Sequence, residues 1–184
     1  MGNNLLIVGA GIYALVAKEI AESMGCFDKI DFVDDYSKQT SNGIAVIGTT
    51  VDIAKLSTEY QNCIVAIGNS DVRLSLIEKI ENETNCKIAT LISPRAYVAP
   101  SVKIEKGSII EPMTVVHTNC VLGVGCLISA GVVINHASVL GDGCHADCNA
   151  TVLGNKTVPT KTKICSGEVF GNTQIPTAPV PIDE

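Results

Sequence analysis

The sequence predicts an α/β unit built on a Rossmann-like parallel sheet, followed by a parallel β-helix. Three observations carry this. A step of six residues from Val98 meets thirteen consecutive apolar positions, through Ile110, Leu122, Ile134 and Val152 to Phe170, of which eleven are Val, Ile or Leu. Ahead of that stretch, short aliphatic runs alternate with segments of helical spacing, which is the pattern of strand–helix–strand crossovers. Gly9-Ala10-Gly11-Ile12-Tyr13-Ala14 fits G-x-G-x-x-A between the first strand and the first helix.

The elements follow in order. Residues 5–9 are a short apolar strand. Ile12, Leu15, Val16, Ile20 and Met24 share one face of a helix over 12–24, and Gly25 is placed to cap it. A second strand, 29–33, ends in Asp34-Asp35. A short edge strand is expected at 44–47, a short helix at 51–56 and a third core strand at 63–67, followed by Gly68-Asn69. A helix over 71–83 and a strand over 87–92 complete the unit. At Ser93-Pro94 these signals stop and the six-residue step takes over, giving domains at 1–93 and 94–172 and an irregular, proline-containing tail at 173–184.

In the second half the residue two places before each large aliphatic is mostly small, as at Ala96, Ser108, Cys120, Cys126, Cys144 and Ala150. One large and one small inward residue per turn is the signature of a β-helix. Three strands make a coil of 18 residues, so residues 18 apart stack about 4.8 Å from one another. Each large aliphatic buried this way contributes roughly 1.5–3 kcal/mol. Cys120, Cys126 and Cys144 fill the small slot. With no C-x-x-C among the eight cysteines, neither a metal site nor a disulfide framework is expected. The pattern frays where Lys156, Thr162 and Glu168 take the small slot, leaving about four coils between 96 and 170. Val115, Val121, Leu127, Val133 and Val139, each just before an inward position, are expected to form an outer apolar row that a homotrimer would cover.

Composition narrows the function. Net charge is −6 with no cluster of Lys or Arg, which argues against nucleic acid. No apolar run approaches the roughly 20 residues of a membrane span, and no basic leader precedes the first strand, so a cytoplasmic protein is expected. Gly9 and Gly11 would let a phosphate approach the backbone and the helix N-terminus, and Asp34 would take a ribose hydroxyl. Four or five strands amount to half of a dinucleotide fold, so a mononucleotide or nucleotide-sugar suits the unit better than NAD. A tight turn with no ligand is the alternative.

These motifs resemble the sugar acetyltransferases of the sialic-acid O-acetyltransferase and UDP-amino-sugar N-acetyltransferase (bacillosamine pathway) family, which are hexapeptide-repeat acyltransferases. The likeness rests on Gly9-Ala10-Gly11, Asp34-Asp35, Ala66-Ile67-Gly68-Asn69, Ile92-Ser93-Pro94 and Asn135-His136-Ala137-Ser138-Val139-Leu140-Gly141. It implies a left-handed β-helix, a homotrimer, acetyl-CoA as co-substrate without a metal, and a nucleotide-linked amino sugar of surface-glycan synthesis as acceptor. It also implies His136 as catalytic base, with His145 and Gly154 at the acetyl-CoA. Gly9, Gly11, Tyr13, Asp34, Asp35 and Ser129 then fall at the substrate. The chemistry is consistent: attack on a thioester needs a base that works near neutral pH, which histidine supplies. Three positions depart from the family pattern. Ile12-Tyr13-Ala14 replaces Gly-His-Gly, Ala137 replaces an acidic residue that orients the imidazole, and Ser129 replaces an asparagine. Asp142 and Asp147 are candidates to orient His136 in place of that acid. Two other readings stay open: a nucleotide-sugar-binding trimer without catalysis, which Ala137 and the early end of the repeats favour, and an oxidoreductase using the glycine turn.

Overall fold

A computed structural model describes residues 2–171; the expected tail at 173–184 lies outside them. The first unit contains β1 (Asn4–Val8), α1 (Ile12–Met24), β2 (Lys29–Val33), β3 (Val46–Gly48), a 3₁₀ turn (Thr50–Asp52), α2 (Ile53–Leu56), β4 (Asn62–Val65), α3 (Ser70–Glu83) and β5 (Lys87–Ile88). The strands form one parallel sheet in the order β3-β2-β1-β4-β5. The order in which strands are added therefore reverses about β1, and the crevice beyond its carboxyl end is where such sheets bind ligands. Gly25 ends α1 at φ 63°, its N–H donating to the Glu22 carbonyl, as its lack of a Cβ allows. Asn69 caps α3 by accepting from the Val72 N–H.

From Leu91 onward fourteen two-residue strands wind into three parallel sheets of five, five and four strands. Every pairing joins residues 18 apart, such as Val116↔Ile134 and Ile134↔Val152. The inward residues make one aliphatic core, in which Cys120, Cys126 and Cys144 are fully buried as fillers. Burial pushes the Cys126 thiol up to about 12, so it is inert at neutral pH.

The structure corrects two sequence expectations. The strand expected over 87–92 is two strands. Lys87–Ile88 closes the first sheet, whereas Leu91–Ile92 pairs with Ile109–Ile110 and opens the first coil. The outer aliphatics do not form one row either, because a six-residue step turns the chain onto the next face. Val115 and Val133 share one face and Val121 and Val139 a second. Leu127 lies on the third, stacked between Ile109 and His145.

That third face joins the two units. Leu91, Ile109 and Leu127 pack with Ala14, Ala17, Ile20 and Ala21 of α1, all buried. Beside it, α3 runs along a β-helix corner where Gly107, Gly125 and Gly143 recur every 18 residues, each at positive φ. A Cβ on Gly107 would lie 2.8 Å from Ile77, and one on Gly143 2.9 Å from Leu74. The glycines thus serve both the turn and the close approach of the helix. Arg73, fully buried on α3, clamps the contact. Its guanidinium donates to the carbonyls of Gly125 (2.7 Å), Gly143 (2.9 Å), Ile67 (2.6 Å) and Gly68 (3.0 Å).

Candidate active site

The residues singled out from the sequence fall into three places. The first is the crevice beyond β1, a cavity of about 440 Å³ lined by Gly9, Asp34, Asp35, Tyr36, Ile67, Asp71 and neighbouring side chains. Gly9 has φ 119°, and a Cβ there would sit 3.1 Å from the Ala66 carbonyl, so only glycine fits. Gly11, the N-cap of α1, has open space where a Cβ would be. Nothing in the chain's own packing demands glycine there, and the helix N-terminus is left clear for an anion. The two aspartates are partly occupied by the chain. Asp34 accepts from the N–H groups of Tyr36 (2.9 Å) and Ser37 (2.8 Å) through one oxygen. Asp35 holds the Thr50 N–H and hydroxyl with both of its oxygens. Asp34 therefore has an oxygen to offer a ligand, and Asp35 braces the crevice wall.

The second place is the seam between α1 and the β-helix. Tyr13 does not turn toward the crevice. Its ring lies 6.4 Å from the His145 ring, and its hydroxyl is buried without a hydrogen-bond partner among the described residues. Ser129 Oγ is 3.5 Å from His145 Nε2. Glu111, one coil below Ser129 and nine-tenths buried, accepts from the Ala130 N–H at 3.2 Å. Burial, and then the Glu111 carboxylate, push the Tyr13 hydroxyl well above its usual pKa. Burial also raises Glu111 and lowers His145, which is therefore neutral at pH 7. The sequence puts Tyr13 and Ser129 at the substrate and His145 at the acetyl-CoA, and gives no role to Glu111. The 18-residue stacking, which puts Glu111 against Ser129, was the signal that could have found it.

The third place is the corner after Val133–Ile134. His136 is exposed there, and Ala137 makes the turn at φ 54°. By the same stacking, Gly154 lies one coil above His136, and the Asn155 N–H donates to the His136 carbonyl at 2.9 Å. A Cβ on Gly154 would stand 2.8 Å from His136 Cε1 and 2.9 Å from Nε2, so the imidazole rests on bare backbone. Neither proposed orienting carboxylate reaches it. Asp142 accepts from the Val124 N–H at 2.8 Å, and Asp147 sits by His145 with Lys163 at 3.6 Å. Gly154→Ala should displace the ring and cut turnover by roughly a hundredfold. Its φ is not in the left-handed region, so the melting temperature should hold. A variant with wild-type kcat would show that the ring does not need this bed.

Among the described residues, no group of His, Cys, Asp or Glu could hold a metal ion, and no helix is long and apolar enough to cross a membrane.

No curated protein matches this sequence. Residues 4–80 match the PglD N-terminal domain family. The acetyltransferase domain of PglB from Neisseria gonorrhoeae FA1090, solved with acetyl coenzyme A, is 31% identical over 92% of this chain and 82% of its own, with a TM-score of 0.86. The chain belongs to the hexapeptide-repeat sugar acetyltransferases. The fold of this acetyltransferase is accordingly a Rossmann-like parallel sheet followed by a left-handed β-helix. Perosamine N-acetyltransferase (PerB) from Caulobacter crescentus, solved with CoA and GDP-perosamine, shares the fold. It is 21% identical over 91% of this chain and 88% of its own, with a TM-score of 0.77. WeeI from Acinetobacter baumannii AYE does so at 19% identity, over 90% of this chain and 87% of its own, with a TM-score of 0.68.

Proposed function

We propose that this protein transfers the acetyl group of acetyl-CoA to an amino sugar carried on a nucleotide, working as a homotrimer. The observation that carries the reading is the His136 imidazole, exposed at a β-helix corner and bedded on Gly154. It occurs in a chain 31% identical to a domain solved with acetyl coenzyme A. The acceptor class rests on the crevice beyond Gly9 and on the shared fold of an enzyme solved with GDP-perosamine.

The sugar amine attacks the thioester carbonyl and forms a C–N bond. His136 takes the amine proton, so the tetrahedral adduct carries one negative charge on its oxygen. When that adduct collapses the C–S bond breaks, and the proton on His136 passes to the departing thiolate. The products are the N-acetylated sugar and CoA thiol, with the imidazole neutral again. His145, kept neutral by burial, is the donor that would meet the acetyl oxygen. No covalent enzyme intermediate is needed.

The trimer is supported by the two β-helix faces that the first unit does not cover. Tyr97, Val139 and Val169 project from them, each at least 40% exposed. One observation favours the second reading, a nucleotide-sugar-binding trimer without catalysis: among the described residues no side chain hydrogen-bonds to the His136 imidazole. Calorimetry separates the two. The proposal expects one acetyl-CoA site per chain and a light-scattering mass three times the 19.3 kDa chain. A protein that binds nucleotides but not acetyl-CoA would leave only the second reading.

A further inference from the structure

We infer that Tyr36 is the platform on which the nucleobase of the bound nucleotide stacks, at the mouth of the crevice beyond β1. The inference rests on the nucleotide-binding reading above and adds to it the position of the base.

Tyr36 is 97% exposed, more than any other large apolar side chain described. Both faces of its ring meet water, and no contact within the chain accounts for it. The ring does not hang from a slack loop, however. The N–H groups of Tyr36 and Ser37 are fixed by Asp34, and Asp35, the residue just before the ring, accepts from the Thr50 N–H and hydroxyl. Tyr36 also belongs to two cavities at once, the crevice of about 440 Å³ and a neighbouring one of about 270 Å³ bounded by Ser37, Val46 and Thr49. Tyr36, with Asp34 and Asp35, therefore borders both.

The crevice lies across the end of β1. Tyr36 comes from the loop after β2, on one side of Gly9. Ile67, Val72 and Leu76 come from the segment after β4, on the other. Val72 is itself 45% exposed. One wall is thus an aromatic ring and the other is aliphatic, which is the shape that a flat, weakly charged ring fills.

Charge decides which part of a nucleotide enters. The lining holds Asp34, Asp35 and Asp71 and neither Lys nor Arg. Asp71 is paired with Lys161 at 2.6 Å, but Asp34 and Asp35 still repel a diphosphate while tolerating a base and its ribose, whose hydroxyls can donate to the free oxygen of Asp34. The phosphates belong instead at the open N-terminus of α1, in front of Gly11. Base and phosphate are then separated along the crevice, with the base at Tyr36. Every base has a π-face, so this contact adds affinity without choosing strongly among bases.

Titration of UDP and GDP into the full-length protein, followed by calorimetry, tests this with Tyr36→Ala and Tyr36→Phe, using ribose 5-phosphate as the ligand without a base. Tyr36→Ala should weaken both nucleotides by roughly tenfold to a hundredfold. Tyr36→Phe should stay within about twofold of wild type, and ribose 5-phosphate should not distinguish Tyr36→Ala from wild type. The ring is exposed, so the melting temperature should be unchanged in both variants. Wild-type protein that binds UDP or GDP while Tyr36→Ala binds them equally well would overturn the platform and leave the nucleotide site standing. Wild-type protein that binds neither would overturn both.

Discussion

Replacing His136 with alanine should lower acetyl transfer by roughly 10²–10⁴-fold and leave the fold and the oligomer unchanged. The ring is exposed and makes no hydrogen bond to another described side chain. Its removal therefore costs the packing little, while the reaction loses the group that takes the amine proton. The loss should appear in kcat, with the dissociation constants for acetyl-CoA and the nucleotide-sugar nearly unchanged, because a proton acceptor acts in the transition state. A structural histidine would do the reverse: the melting temperature would fall and turnover per folded chain would persist. Stopped-flow or steady-state thiol release, read beside a thermal melt, distinguishes the two.

The second large effect is on stability. Arg73→Leu should destabilise the protein by about 3–5 kcal/mol, because it strands the buried carbonyls of Gly125, Gly143, Ile67 and Gly68 together. At about 2–4 °C per kcal/mol for a chain of this size, the melting temperature should drop by on the order of 10 °C. Arg73→Lys should recover only part of the loss, since an ammonium cannot span carbonyls on both units at once. The guanidinium joins the Ile67–Gly68 loop, which borders the crevice beyond β1, to two β-helix corners. A looser clamp should therefore weaken nucleotide binding as well. A shift below about 2 °C in calorimetry would show that water replaces the clamp without cost.

The β-helix was legible because its physics is one-dimensional. A coil of fixed length must present an apolar residue at every sixth place, and the sequence does so from Val98 to Phe170. The same step reaches back to Ile92, which is why the first coil opens at Leu91–Ile92. The aliphatic run over 87–92 concealed this, because hydrophobicity alone does not say which of two sheets a strand joins. The helix over 12–24 and the strand over 29–33 were legible from spacing and from the Gly25 cap.

What was missed depends on contacts between distant residues. Arg73 reads as a surface charge on a helix, and only the glycine corners 52 and 70 residues later explain its burial. Gly107, Gly125 and Gly143 hinted at a helix packed along a corner, since a turn alone tolerates Asn or Lys there, as at Asn155 and Lys161. Tyr13 was legible as part of the glycine turn but not in its direction, which the position of His145 across the seam sets. The error over the outer valines was one of geometry: neighbours on a face are 18 residues apart, not six.

Coupled product formation distinguishes acetyl transfer from binding alone. Purified protein is mixed with acetyl-CoA and UDP- or GDP-linked amino sugars, and CoA thiol and acetylated sugar are measured together. Both products should form in a one-to-one ratio, only when an amino sugar is present, and be lost in His136→Ala. Tight binding of acetyl-CoA and of the nucleotide-sugar with no thiol released from any of these acceptors would contradict acetyl transfer.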